Sequence, residues 1–220
     1  TLSGGSSPAP VANKYITSDT ETTITLPFGP QPTYKITYDE TNGCNIVYVK
    51  VSGKARAISG SKIDISARIL CNGITIRHER DSFYEGDQLF LSFMSPVAGY
   101  VCVYLVDEEA NAYCLLPYEL SSTGFARIEA NRDHIFFSKQ VSDTPELVDE
   151  YVMSCAHDNE SNVFYIIFSP NPFTKAVDYS SYTSLQQLSY EDMQTWLLDV
   201  QSKDAQLQVI RKTIRINTLK

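Results

Sequence analysis

Three residue types able to do chemistry meet in Cys155-Ala156-His157-Asp158. A thiol, an imidazole and a carboxylate are the parts of a nucleophile, its base and the group that orients the base. Such a site would serve a hydrolase or peptidase-like enzyme, with Cys155 and His157 as its catalytic pair. Adjacent residues of an extended segment point to opposite faces, however, and catalytic partners ordinarily arrive from separate elements. The run reads more simply as a loop or strand end carrying incidental polar side chains. A paired-carboxylate hydrolase needs only two acids, and 26 acidic residues make such pairs unavoidable by chance.

Metal chemistry needs convergent His, Cys or carboxylate ligands. The three histidines, His78, His134 and His157, have no short ligand spacing and form no HExxH run. Asp107-Glu108-Glu109 is the one candidate for a divalent cation, but it lacks the regular oxygen spacing of a calcium loop and reads as a solvated turn. A GxSxG elbow is absent, and no glycine-rich loop opens a helix to cradle phosphate, so no cofactor is expected. Elimination favours a β-rich binding or interaction module, with a structural accessory domain as a further alternative. Tyr179, Tyr182 and Tyr190, in a Ser-rich loop-like stretch, are its candidate contact residues, although packing on the core accounts for them equally well.

Composition narrows the partners. Eighteen basic against 26 acidic residues give a formal charge of −8, with no basic cluster, which disfavours nucleic acid and anionic membranes. No stretch is long and apolar enough to form a transmembrane helix. Fourteen Tyr and 10 Phe beside one Trp favour sheet over helix. The five cysteines have no CxxC spacing. Cys102 and Cys114 fall on neighbouring predicted strands, as buried free thiols or as a disulfide.

The elements that must position these residues are mostly strands. Phe83–Pro117 alternates turns with apolar runs and predicts a three-stranded antiparallel meander, its middle strand, Tyr100 to Val106, buried on both faces. Asn72-Gly73 predicts a hairpin joining Ile63–Leu70 to Ile74–His78. Val163–Ser169 is the clearest strand of the second half. One helix, about 190–201, is signalled by Ser189 as N-cap with Asp192 three residues on and by the stripe Met193, Trp196, Leu197 and Val200. Leu207–Ile216 alternates as a final strand. The expected architecture is mainly β: an antiparallel β-sandwich-like body with that late helix packed on it and a C-terminal strand.

Tyr84-Glu85-Gly86-Asp87, Leu89-Phe90-Leu91-Ser92-Phe93, Gly99 through Asp107, Leu115-Leu116-Pro117 and Phe164 through Phe173 together resemble the bacterial family called domain of unknown function 4384, over about residues 81–173. The family's usual glycine after the Asp is replaced by Ala110 or Asn111, a change of turn. The resemblance implies a β-rich accessory domain of envelope-associated or secreted bacterial proteins, with a protein or cell-envelope component as partner. It transfers no catalytic residue. The organisation expected is a flexible tail at 1–12, an N-terminal β region at 13–80, an antiparallel β domain at 81–173, and a loop, helix and strand at 174–220 completing the same body.

Overall fold

The computed structural model describes residues 62–121, 124–155, 157–177 and 186–218, together with the strand segments 16–17, 21–24, 33–39, 44–50 and 57–58. The chain divides into two compact units, 1–59 and 60–220. The first contains β1 (Ile16–Thr17), β2 (Glu21–Ile24), β3 (Thr33–Asp39), β4 (Cys44–Lys50) and β5 (Ala57–Ile58). There β2 lies between β1 and β5, and β3 pairs antiparallel with β4.

The second unit follows the alternation of its apolar residues. It contains β6 (Ser66–Cys71), β7 (Ser82–Tyr84), β8 (Gln88–Met94), β9 (Gly99–Val106), β10 (Asn111–Leu116) and β11 (Ala126–Ile128). Then come β12 (His134–Phe136), β13 (Tyr151–Val152), β14 (Asn159–Ser169), β15 (Gln186–Ser189), α1 (Tyr190–Lys203) and β16 (Gln208–Asn217). One sheet runs β15-β10-β9-β14-β16-β7, with β11 also on β9. The other has β8 at its centre, flanked by β6 and by β12 and β13.

Alternation decides what fills the space between the sheets. Leu89, Leu91 and Phe93 of β8 meet Val101 and Val103 of β9 and Phe164, Ile166 and Phe168 of β14 in one core. The Phe93 and Phe168 rings lie 5.7 Å apart within it. The opposite parity of β9, Cys102, Tyr104 and Val106, faces a second core built with Met193 and Leu197 of α1. Strand β9 is therefore buried on both faces, as its sequence predicts. The order of layers is sheet, sheet, helix, a mainly β body with one late helix.

The helix begins where its cap signal lies. Ser189 Oγ accepts from Asp192 N at 3.0 Å and donates to Asp192 Oδ2 at 2.7 Å. In the final strand Ile214 and Ile216 point into the inter-sheet core. On the other parity the Arg211 guanidinium lies 5.3 Å from the Tyr165 ring centroid.

Two local expectations fail. Strands β9 and β10 form the expected hairpin, but β8 does not pair with β9. The chain crosses to the other sheet between them, so Leu91 and Phe93 meet β9 face to face, which buries more apolar surface than an in-plane neighbour would. The crossing brings Gly99 so close to Ser169 O and the Phe168 ring that a Cβ there would collide with both. After Asn72-Gly73 the chain forms a 3-10 turn at Ile76–His78 in place of a returning strand, with one bridge between Leu70 and Glu79. Asn72 is committed elsewhere: its side chain binds Asp87 Oδ1 at 2.6 Å and Gln88 N at 2.7 Å. Ile76 is exposed, and none of Ile76–His78 is buried.

Candidate functional site: the open end of the sandwich

The inward parity of β9 and β10 continues past the filled core to Leu105, Asp107, Tyr113 and Leu115. On β14 the inward series Phe168, Ile166, Phe164 continues to Asn162 and Glu160. Leu105, Asp107, Tyr113, Leu115, Asn162 and Glu160, with Ile216 of β16, line one wall of a cleft of about 400 Å³. Leu89, Tyr151, Val152 and Met153, from β8 and the β13 region, line the other, and Ser154 and His157 lie at its edge. The cleft is thus the end of the inter-sheet space that side chains leave unfilled. Its volume lies at the small end of the range for small-molecule sites.

Its charged groups are mainly acidic, with His157 beside Glu160. Asp107, Glu108, Glu109 and Glu160 line it, and among the described residues no lysine or arginine does. Asp107 Oδ1 accepts from Asn111 N at 2.8 Å, and its Oδ2 accepts from Tyr113 Oη at 3.1 Å. Burial and the nearby Asp107 charge push the Tyr113 phenol up to about 12. Glu108 Oε1 accepts from Ser161 N at 2.6 Å, tying the β9–β10 turn to β14. The Tyr151 hydroxyl donates to Leu115 O at 3.1 Å, and burial raises that phenol further.

Asn162 is the unusual member. It is 4% exposed, and its Oδ1 finds no hydrogen-bond partner among the described residues. Leaving such an acceptor unpaired costs about 1–3 kcal/mol. The amide sits on a parity otherwise occupied by Phe164, Ile166 and Phe168, where an apolar residue would pack without that cost.

The sequence-derived candidates fall in three places. Asp107, Glu108 and Glu109 lie in the β9–β10 turn at the cleft. Among the described residues no three His, Cys, Asp or Glu side chains converge as a metal site would require. His157 lines the cleft edge, its Nδ1 at 3.2 Å from Glu160 Oε1, but Cys155 points elsewhere. The Cys155 thiol donates to the backbone carbonyls of His157, at 2.6 Å, and of Ile216, at 3.5 Å. Desolvation and the carboxylates of Glu160, Glu85 and Asp158 hold that thiol above its ordinary value. A thiolate nucleophile needs the opposite surroundings.

Tyr190 is half-buried at the start of α1, its hydroxyl 3.0 Å from that of Tyr165. Tyr179 and Tyr182 lie outside the described residues. Cys102 and Cys114 are buried free thiols. Sequence reasoning did not single out Asn162, Tyr113 or Tyr151. The signal available was Asn162 itself, a polar residue in step with a buried apolar series. Comparison of the chain with family models, curated proteins and solved structures gives no match.

Proposed function

We propose that residues 60–220 form a non-catalytic binding module that takes its ligand in the inter-sheet cleft. The observation that carries the reading is the buried Asn162 amide, an unpaired acceptor where packing alone would favour a hydrocarbon. Groups that weaken a fold without packing well are the ones a ligand would compensate. The apolar walls, Leu89, Leu105, Leu115 and Ile216, would supply contact area and the few polar groups orientation. The arrangement of Cys155, bonded to backbone carbonyls and surrounded by carboxylates, favours binding over nucleophilic chemistry.

The setting we propose is a bacterial envelope-associated or secreted protein, in which the module engages a protein or cell-envelope component. That proposal rests on the resemblance of residues 81–173 to domain of unknown function 4384. The test is retention of an envelope-extract component by the immobilised chain, compared with Val152→Trp. Val152 is 59% exposed and lines the cleft, so a larger side chain there covers the opening without disturbing the core. Retention lost in the variant is expected. Equal retention by both, or by neither, contradicts the reading.

A further inference from the structure

We infer that Asn72 is a deamidation site that the fold keeps closed, with the Asp87 carboxylate as its latch. The inference goes beyond the binding reading and does not rest on it. An Asn-Gly pair is prone to this reaction, because glycine leaves the backbone nitrogen that attacks the side chain unobstructed. The hairpin that Asn72-Gly73 predicts does not form, and the fold uses the two residues separately. Asn72 Nδ2 donates to Asp87 Oδ1 at 2.6 Å, and Asn72 Oδ1 accepts from Gln88 N at 2.7 Å. A Cβ on Gly73 would stand 2.6 Å from the His78 ring, whose Nδ1 lies 2.9 Å from Thr75 Oγ1, so glycine suits that place. A labile pair thus lies at a turn where Asn72 is exposed to water.

In the reaction the Gly73 nitrogen gives up its proton and bonds to Cγ of Asn72. The Cγ–Nδ2 bond breaks, and Nδ2 takes up a proton and leaves as ammonia. Water then opens the resulting succinimide at either carbonyl, to aspartate or isoaspartate. One water enters and one ammonia leaves, with no oxidant or cofactor. The fold obstructs two of these movements. The amide is bonded at both ends, so Cγ is not free to turn toward Gly73. The leaving nitrogen faces a carboxylate that only accepts, since Asp87 Oδ2 also receives Tyr84 N at 2.7 Å and Cys71 Sγ at 3.3 Å. Conversion would set a carboxylate in place of the Asn72 donor, against the like charge of Asp87. Asp87 O accepts from Met153 N at 2.8 Å, and Met153 O accepts from Gly86 N at 2.9 Å. The β7–β8 turn therefore carries the change to Met153, which lines the cleft.

The test follows the full chain at mildly alkaline pH by peptide mass spectrometry, beside a synthetic Leu70–Thr75 peptide and the same chain in urea. Asn72 in the folded chain should convert about tenfold more slowly than in the peptide, and at the peptide's rate in urea. Asp87→Ala should bring the folded chain's rate several-fold toward the peptide's. Asp87→Asn, which keeps the shape of the side chain, should do so to a smaller extent. Near-ultraviolet circular dichroism shows which variants fold, and where Asp87→Ala does not, Asp87→Asn decides. Asn72→Asp, which reproduces one product, should move the Met153 amide in NMR spectra. Equal rates in the folded chain and the peptide overturn the inference. A folded Asp87 variant that converts as slowly as the native chain removes Asp87 as the latch, and an unmoved Met153 amide removes the path to the cleft. None of these outcomes touches the binding reading.

Discussion

The thiol of Cys155 and the imidazole of His157 lie two residues apart without addressing each other. The thiol donates to the His157 carbonyl at 2.6 Å, while the ring nitrogen Nδ1 lies 3.2 Å from Glu160. That relationship separates the two meanings of the Cys-Ala-His-Asp run. A catalytic pair would join the sulfur to the ring; here the backbone takes the sulfur's proton and a glutamate takes the ring.

Thiol reactivity follows from the surroundings of each sulfur. Desolvation and neighbouring carboxylates raise the Cys155 thiol, and desolvation with the adjacent Asp87 pushes Cys71 up to about 11. Cys102 and Cys114 are buried. A brief iodoacetamide pulse near neutral pH, read by peptide mass spectrometry, should label Cys71 and Cys155 more slowly than an unstructured cysteine peptide and leave Cys102 and Cys114 unmodified. Rapid labelling of Cys155 would restore the nucleophile.

The second core depends on one buried hydroxyl. Tyr104 is fully buried, and its Oη accepts from Ala176 N at 2.9 Å. Tyr104→Phe keeps the ring and strands the Ala176 N–H, and should lower stability by about 1–3 kcal/mol in denaturant unfolding. An unchanged midpoint would mean that the Ala176 N–H finds a new acceptor at no cost.

A pH effect arises at His134. Burial first, then the Arg132 charge, holds its pKa below the ordinary 6.5, and its Nε2 accepts from Glu129 N at 3.0 Å. The unfolded chain therefore takes up the proton at a higher pH than the folded one. The stability associated with neutral His134 is present above about 6.5 and is lost as pH falls through the lower folded value. Urea midpoints should drop further between about pH 8 and pH 5 in the native chain than in His134→Gln. Parallel losses in the two proteins would refute the assignment.

Asn162→Leu should make the unliganded chain more stable, by about 1 kcal/mol, because it removes an unpaired buried acceptor from an apolar series. Unfolding curves for the two proteins decide it. A destabilised variant would give Asn162 a structural role and remove the main support for a ligand at the cleft floor.

What could be read from the sequence was mostly local. Ser189 with Asp192, and the parity of Ile214 and Ile216, identify their elements because cap and alternation lie within a few residues. The partner of β9 could not be read the same way. Its neighbour β14 comes some sixty positions later, and β8 leaves for the facing sheet because burial across the core outweighs adjacency in the chain. The cleft is similarly non-local: Asp107, Tyr151 and Asn162 come from three separated segments, and Asp107-Glu108-Glu109 and His157 could be noted singly in the sequence but not brought together from it.

The central claim, that the open end of the sandwich is the ligand site, is tested most directly by crystallographic soaking with a small set of cationic, neutral and anionic fragments. The account predicts fragment density between Leu105, Tyr113, Tyr151 and Ile216, with Asn162 Oδ1 accepting a hydrogen bond from the bound molecule. Fragments gathering on any other surface, with the cleft empty at every soak, would contradict it.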